Sequence, residues 1–200
     1  MLEKNEPDNT PIIPDINTQD RDLYTRLNQY LSRADVHLRQ GRGWFIFNAD
    51  RNRASRVVKL FLERLGDFRP YLTYNHIPWR DFALNTYMRE QLNVPENQPQ
   101  NKDDKLNKEF TIARQVTANT SLTMLTSDLL IISELVSQSR EEVTRLGQVV
   151  VGRHTRQMAT VLVTPKMPHE LAADFETLRD SPGYWNELYC RMYESSLMAL

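Results

Sequence analysis

The chain has 200 residues, 40% hydrophobic and 26% charged, with a formal net charge of −1. That balance excludes wholesale disorder, a membrane-embedded bundle and a chain that binds polyanions through its overall charge. The single cysteine, Cys190, excludes an intramolecular disulfide and suits a reducing, cytoplasmic compartment.

The opening segment has no basic start followed by a long apolar run, so it does not read as a secretory signal. Residues 1–19 read as a flexible acidic arm with Pro7, Pro11 and Pro14 and no periodic apolar face. Residues 20–200 read as a single α+β domain. Over 20–40, Leu23, Leu27, Tyr30, Leu31, Ala34 and Leu38 recur at spacings of three and four, which predicts one helix stopping at Gly41. Trp44-Phe45-Ile46-Phe47 predicts a short buried strand. Ala54, Val57, Val58, Phe61, Leu62 and Leu65 predict a helix over 50–65, with Asp50 or Asn48 as its cap.

Tyr71-Leu72-Thr73-Tyr74 predicts another strand, and Pro78 opens a helix to about Asn93. Residues 93–104 are a polar loop. Residues 105–118 are open between helix and strand. From Leu122 to Leu146, apolar side chains alternate by three and four and predict one long central helix. Val149–Val151 and Ala159–Val163 are β-branched runs around Gly152 and predict a hairpin. Pro168 opens a helix to about Arg179, and a last helix runs from Tyr184 to the end. The fold class expected is a mixed α/β (α+β) domain: a small sheet of short strands packed with about six helices, one of them long and central.

Chemistry is sparse in this sequence. His37, His76, His154 and His169 are far apart, with no second His or Cys at ligand spacing, so no metal site is expected. No Gly-x-Ser-x-Gly elbow and no Gly-rich phosphate loop is present, so no catalytic residue and no cofactor is assigned. Cys190 reads as a small core thiol.

Two surfaces stand out. Arg51, Arg53 and Arg56 follow the Trp44–Phe47 strand at a helix start, where the helix dipole disfavours cations. An anion nearby would resolve the conflict, held by those arginines with Arg42 and free backbone amides. The other resolution is internal, with Asp50, Glu63 or an acid from elsewhere in the chain neutralising the arginines. The surrounding stretch from Arg33 to Arg69 has nine basic residues against four acids, whereas the first twenty residues are acidic. Trp44 and Phe45 beside Arg39 and Arg42 suggest a base-stacking platform, or simply core. The second surface is the C-terminal helix, whose Trp185, Tyr189, Met192, Tyr193 and Leu197 exceed one face and suggest a protein interface.

The reading these features favour is a non-enzymatic, chaperone-like adaptor or accessory subunit working in a hetero-complex or as a homodimer. By composition alone it is analogous to an adaptor of a bacterial secretion machine. The alternative is a nucleic-acid or nucleotide-binding module using the basic segment Arg39–Arg56, with nucleic acid ranked behind a protein partner. A third reading is an enzyme with an unfamiliar site, in which His76 after a strand is the base. No direct membrane insertion is expected, since the longest apolar stretch, Leu122 to Val136, is short and broken by Asp128 and Glu134.

Overall fold

The computed structural model describes residues 18–66, 72–94, 104–179 and 183–199. The predicted arm lies outside this set except for Thr18 and Gln19, which already belong to a helix, and so do residues 95–103 of the polar loop. In chain order the elements are α1 (Thr18–Leu31), α2 (Ala34–Arg39), β1 (Gly43–Ile46), α3 (Arg51–Gly66), β2 (Tyr74–Pro78), α4 (Trp79–Asn93) and α5 (Asp104–Thr126). They continue with β3 (Leu129–Ser133), α6 (Arg140–Thr155), β4 (Ala159–Val163), α7 (Pro168–Arg179), α8 (Tyr184–Ser195) and β5 (Ser196–Ala199).

The protein is a mixed α/β structure. Its five strands form one sheet in the order β2-β3-β4-β1-β5, and every pairing is parallel. A parallel sheet needs helices on both faces, so its inner strands are apolar at every position. β1, β3 and β4 are buried throughout. Alternate residues serve opposite cores: Trp44, Ile46, Leu129, Ile131, Val161 and Val163 pack with α1, α2 and α3. Phe45, Phe47, Leu130, Ile132 and Leu162 pack with α4, α5, α6, α7 and α8.

Several expectations are corrected here. The long central helix over Leu122–Leu146 does not exist: α5 stops at Thr126, Leu129–Ser133 is a strand, and α6 begins at Arg140. Leu129-Leu130-Ile131-Ile132 is apolar at every position because it is a central strand with two covered faces. Sampling that run by threes and fours imitated a helical seam. A start signal was present in the sequence. Ser139 caps α6, its Oγ accepting from Glu142 N at 3.2 Å, while Glu142 Oε2 accepts from Gln138 N at 2.9 Å.

The predicted hairpin fails for the same reason in reverse. Val149 and Val150 are buried on the inner face of α6, so tertiary packing overrides their β propensity. Only Ala159–Val163 is a strand, and it pairs in parallel with β1 and β3. The helix expected over 20–40 is two, α1 and α2, separated at Ser32 and Arg33. Residues 105–118 are helical. Of the strand expected over Tyr71–Tyr74, Tyr71 lies outside the described residues and Leu72 and Thr73 are not strand; the second strand runs from Tyr74 to Pro78, which precedes α4. The final helix stops at Ser195, and Ser196–Ala199 form an edge strand beside β1. Eight helices are present among the described residues, not about six.

Candidate functional site

In a parallel sheet, ligands bind beyond the carboxyl ends of the strands, where neighbouring strands send their connections to opposite faces. Here that point lies between β1, which leads into α3 on one face, and β4, which leads into α7 on the other. The residues at issue are the Asn48-Ala49-Asp50 turn after Phe47 and the Thr164–Met167 turn after β4.

The two turns are stitched together. Asn48 N donates to Lys166 O at 3.1 Å, Ala49 N to Thr164 O at 2.9 Å, and Thr164 N to Ile46 O at 2.9 Å. Thr164 Oγ1 then donates to Leu135 O at 2.8 Å, which fixes the turn after β3 as well. The α3 start is capped from within, since Asp50 Oδ1 accepts from Arg53 N at 2.7 Å. The Asn48, Ala49 and Arg53 amides are therefore already donating to the protein. Asn48 adopts φ 50°, a left-handed geometry that asparagine tolerates and that lets the turn close within three residues.

The fold sorts the arginines expected to cluster here: Arg53 and Arg56 meet on Asp20, whereas Arg51 and Arg42 stand apart. Arg53 is buried, with Nη1 donating to Asn48 O at 3.1 Å and Nε lying 2.9 Å from Asp20 Oδ1. Arg56, half-exposed, donates to the other oxygen of Asp20 at 2.9 Å and to the Tyr24 hydroxyl at 3.3 Å. Asp20 and Asp50 thus answer the cations at the α3 start, the internal neutralisation that the sequence left open. Arg51 extends into solvent, its side chain 91% exposed and 3.7 Å from Glu134 Oε1. Arg39 and Arg42 are exposed at the amino end of β1, so the strand itself separates them from Arg51 and Arg56.

No stacking platform exists at Trp44 and Phe45. Both are fully buried: Trp44 lies edge-on to Tyr30, and Phe45 stacks on Phe47 with centroids 4.1 Å apart. At the C-terminus, Trp185 and Met192 are core residues, Tyr189 is half-buried, and Tyr193 and Leu197 are exposed. The rings of Trp185, Tyr189 and Tyr193 follow one another at 5.4 and 6.2 Å along α8, and Leu197 lies on β5 opposite Trp44. Cys190 is exposed, not a core thiol.

His76, the base of the enzyme reading, bonds through Nε2 to Ser133 Oγ at 2.9 Å. Ser133 is buried at the end of β3 and the pair joins edge strand β2 to its neighbour. Among the described residues no hydrogen bond orients the other ring nitrogen, so the geometry is that of a structural tie. Burial holds the His76 pKa below the usual histidine value, against the opposing pull of Glu134 and Asp81. A lowered folded pKa means that the unfolded chain takes up the proton first. Stability is then full above about pH 6.5 and lost as pH falls through the folded value. We expect urea midpoints to drop between about pH 7 and about pH 5, and to drop less in His76→Gln. Equal slopes in both proteins would remove His76 from the account.

Among the described residues no helix is long and apolar enough to cross a membrane, and no three His, Cys, Asp or Glu side chains gather into a metal-binding group.

No family model and no curated protein sequence matches the chain. Solved structures do match its fold. The DnaC helicase loader superposes with a TM-score of 0.61 at 12% identity, covering 92% of this chain and 90% of that one. DnaI superposes at 0.59 with 11% identity over 93% and 87% of the two chains. The replication initiator DnaA, bound to AMPPCP and single-stranded DNA, superposes at 0.60 with 10% identity, covering 92% of this chain and 47% of that one. The adaptor reading is overturned by this fold. Its long seam is two helices and a strand, much of its C-terminal surface is core, and its structural neighbours are replication proteins, one caught with a nucleotide analogue and DNA. At these identities the likeness is one of fold: the chain has the mixed α/β architecture of helicase-loader and DnaA domains.

Proposed function

We propose that this chain is a nucleic-acid-binding component of the DNA-replication machinery, built on a nucleotide-binding fold whose phosphate turn has closed on itself. The observation that carries the reading is the state of the β1–α3 turn. Its Asn48 and Ala49 amides are spent on the Lys166 and Thr164 carbonyls, yet Arg51 and Arg56 remain exposed beside it. A phosphate-cradling loop needs free amides converging on one anion. Exposed guanidiniums without such a cradle suit the spaced phosphates of a nucleic-acid backbone. The fold supports the same direction, since neighbours with this architecture include a helicase loader and an initiator solved with single-stranded DNA. Nucleic acid therefore moves ahead of the order in which the sequence placed it. Protein partners remain part of the reading, because loading a helicase is work done on another protein. Such a component would act in the cytoplasm.

The test is fluorescence anisotropy with labelled single-stranded and double-stranded oligonucleotides over a range of salt. Binding should weaken steeply with salt through counterion release. Arg51→Ala combined with Arg56→Ala should weaken it similarly for all sequences and reduce the salt slope by about two. Arg39→Ala with Arg42→Ala, at the opposite end of β1, should leave the slope unchanged. Absence of binding to either oligonucleotide at low salt would overturn the proposal.

A further inference from the structure

We propose that the cavity between α4, α5 and α6 is a binding site for a small phosphate-bearing ligand with an apolar or aromatic body, held by Arg89, Arg114 and Arg145. The cavity has a volume of about 460 Å³, within the usual range for small-molecule sites. Each helix contributes one arginine to its lining: Arg89 from α4, Arg114 from α5 and Arg145 from α6. The charge of Arg89 is felt at Arg145, and among the described residues none of the three arginines is in an ion pair.

Arg145 is the most telling of the three. It is only 7% exposed, its Nε has no hydrogen-bond partner, and its Nη1 reaches only the amide oxygen of Gln148, at 3.4 Å. Burial and the neighbouring charge of Arg89 pull its pKa down to about 10, so at neutral pH it is still a cation. A buried cation is ordinarily paired, because an unpaired one forfeits its hydration with nothing in return. Arg153, the other deeply buried arginine of α6, shows the contrast, with every nitrogen engaged. Glu90 and Glu141 line an adjoining cavity of about 240 Å³ that Arg89 and Arg145 also border, and among the described residues neither forms an ion pair with them.

The rest of the lining chooses the ligand class. Leu92, Leu122 and Leu125 give the cavity an apolar wall, and Thr117 and Ser121, whose hydroxyl donates to Asn85 Oδ1, add polar oxygens to the lining. A concave site with a buried cation and an apolar wall suits a small molecule of nucleotide size better than a polymer backbone, whose phosphates would stay outside. This site is built by helices remote in sequence from the β1–α3 turn, and it does not rest on the nucleic-acid reading.

The experiment is isothermal titration of the full chain with inorganic pyrophosphate and with ADP at low salt, alongside melting curves. Pyrophosphate should bind and raise the melting temperature, and ADP should bind at least tenfold more tightly because it also covers the apolar wall. Arg89→Gln with Arg114→Gln, both exposed positions that should fold normally, should weaken both probes at least tenfold. Arg145→Met should abolish binding without lowering the melting temperature, since it removes an unpaired buried charge. The Arg51→Ala/Arg56→Ala variant should bind both probes as the parent does. The proposal is overturned if neither probe binds at millimolar concentration, or if the Arg89/Arg114 variant binds unchanged. It is also overturned if the Arg51/Arg56 variant is the one that loses binding, or if ADP binds no more tightly than pyrophosphate.

Discussion

Arg153→Met is expected to destabilise the protein by about 3–5 kcal/mol, the range for removing one side of a buried, hydrogen-bonded charge. Arg153 is completely buried in the last turn of α6. Its Nη1 donates to Met124 O at 2.8 Å and Ser127 O at 2.9 Å, its Nη2 to Ala159 O at 2.5 Å, and its Nε to Thr160 Oγ1 at 3.0 Å. The first two carbonyls end α5 and enter the turn to β3, where helix carbonyls are otherwise unsatisfied and a cation complements the dipole. The last two acceptors begin β4. One side chain therefore fastens α5, the start of β3 and β4 together. Burial lowers its pKa to about 10, with Asp128 opposing, so it stays charged at neutral pH. Methionine matches much of the volume but leaves the acceptors dry and empty. Arg153→Lys should be intermediate, because an ammonium lacks the fork that reaches several directions at once. Urea unfolding followed by circular dichroism measures both, and a midpoint for Arg153→Met equal to the parent's would refute the role.

Gly43→Ala should be comparably damaging, by at least about 3 kcal/mol, and it acts through backbone rather than charge. A Cβ on Gly43 would sit 1.8 Å from Thr160 O and 2.6 Å from its carbonyl carbon, and neither atom can rotate away. To admit the methyl group, β1 must pull back from β4. That strand also carries β5 on its other side, so the displacement loosens two of the sheet's four pairings. Gly66→Ala is the matched comparison, since nothing lies within 4 Å of its added Cβ at the end of α3. It should leave the melting temperature unchanged or slightly raised through reduced unfolded-state entropy. Equal melting temperatures for the two alanine variants would show that β1 tolerates the displacement.

The contrast between what could be read and what could not follows from where each signal lives. Helix α3 was legible because Val57, Val58, Phe61 and Leu65 face a single core, so their spacing is the helix period. α7 was legible for its opening proline as well. β3 was not, because a strand covered on both faces has no period of its own, and Leu129–Ile132 read as part of a helix. The Val149–Val151 run shows the converse, β-branched residues held in a helix by the core they fill. At the candidate site, the crowding of cations at the α3 start was visible, but its resolution by Asp20 was only one option among several. Arg145 and Arg89 carried no signal at all: a lone arginine on a helix looks the same in sequence whether it faces water or a cavity. The C-terminal strand was hidden because Ser196–Ala199 gains its partner from a segment about 150 residues earlier.

The stitched junction between the turns after β1 and β4 also bears on timing and control. A ligand can drive a protein between two shapes only if it binds them unequally, and only if a second shape is within reach. Parting these turns would break the Asn48–Lys166 and Ala49–Thr164 bonds together. Such a junction works as a weld and not as a hinge. A ligand acting through this junction would have to part both turns at once.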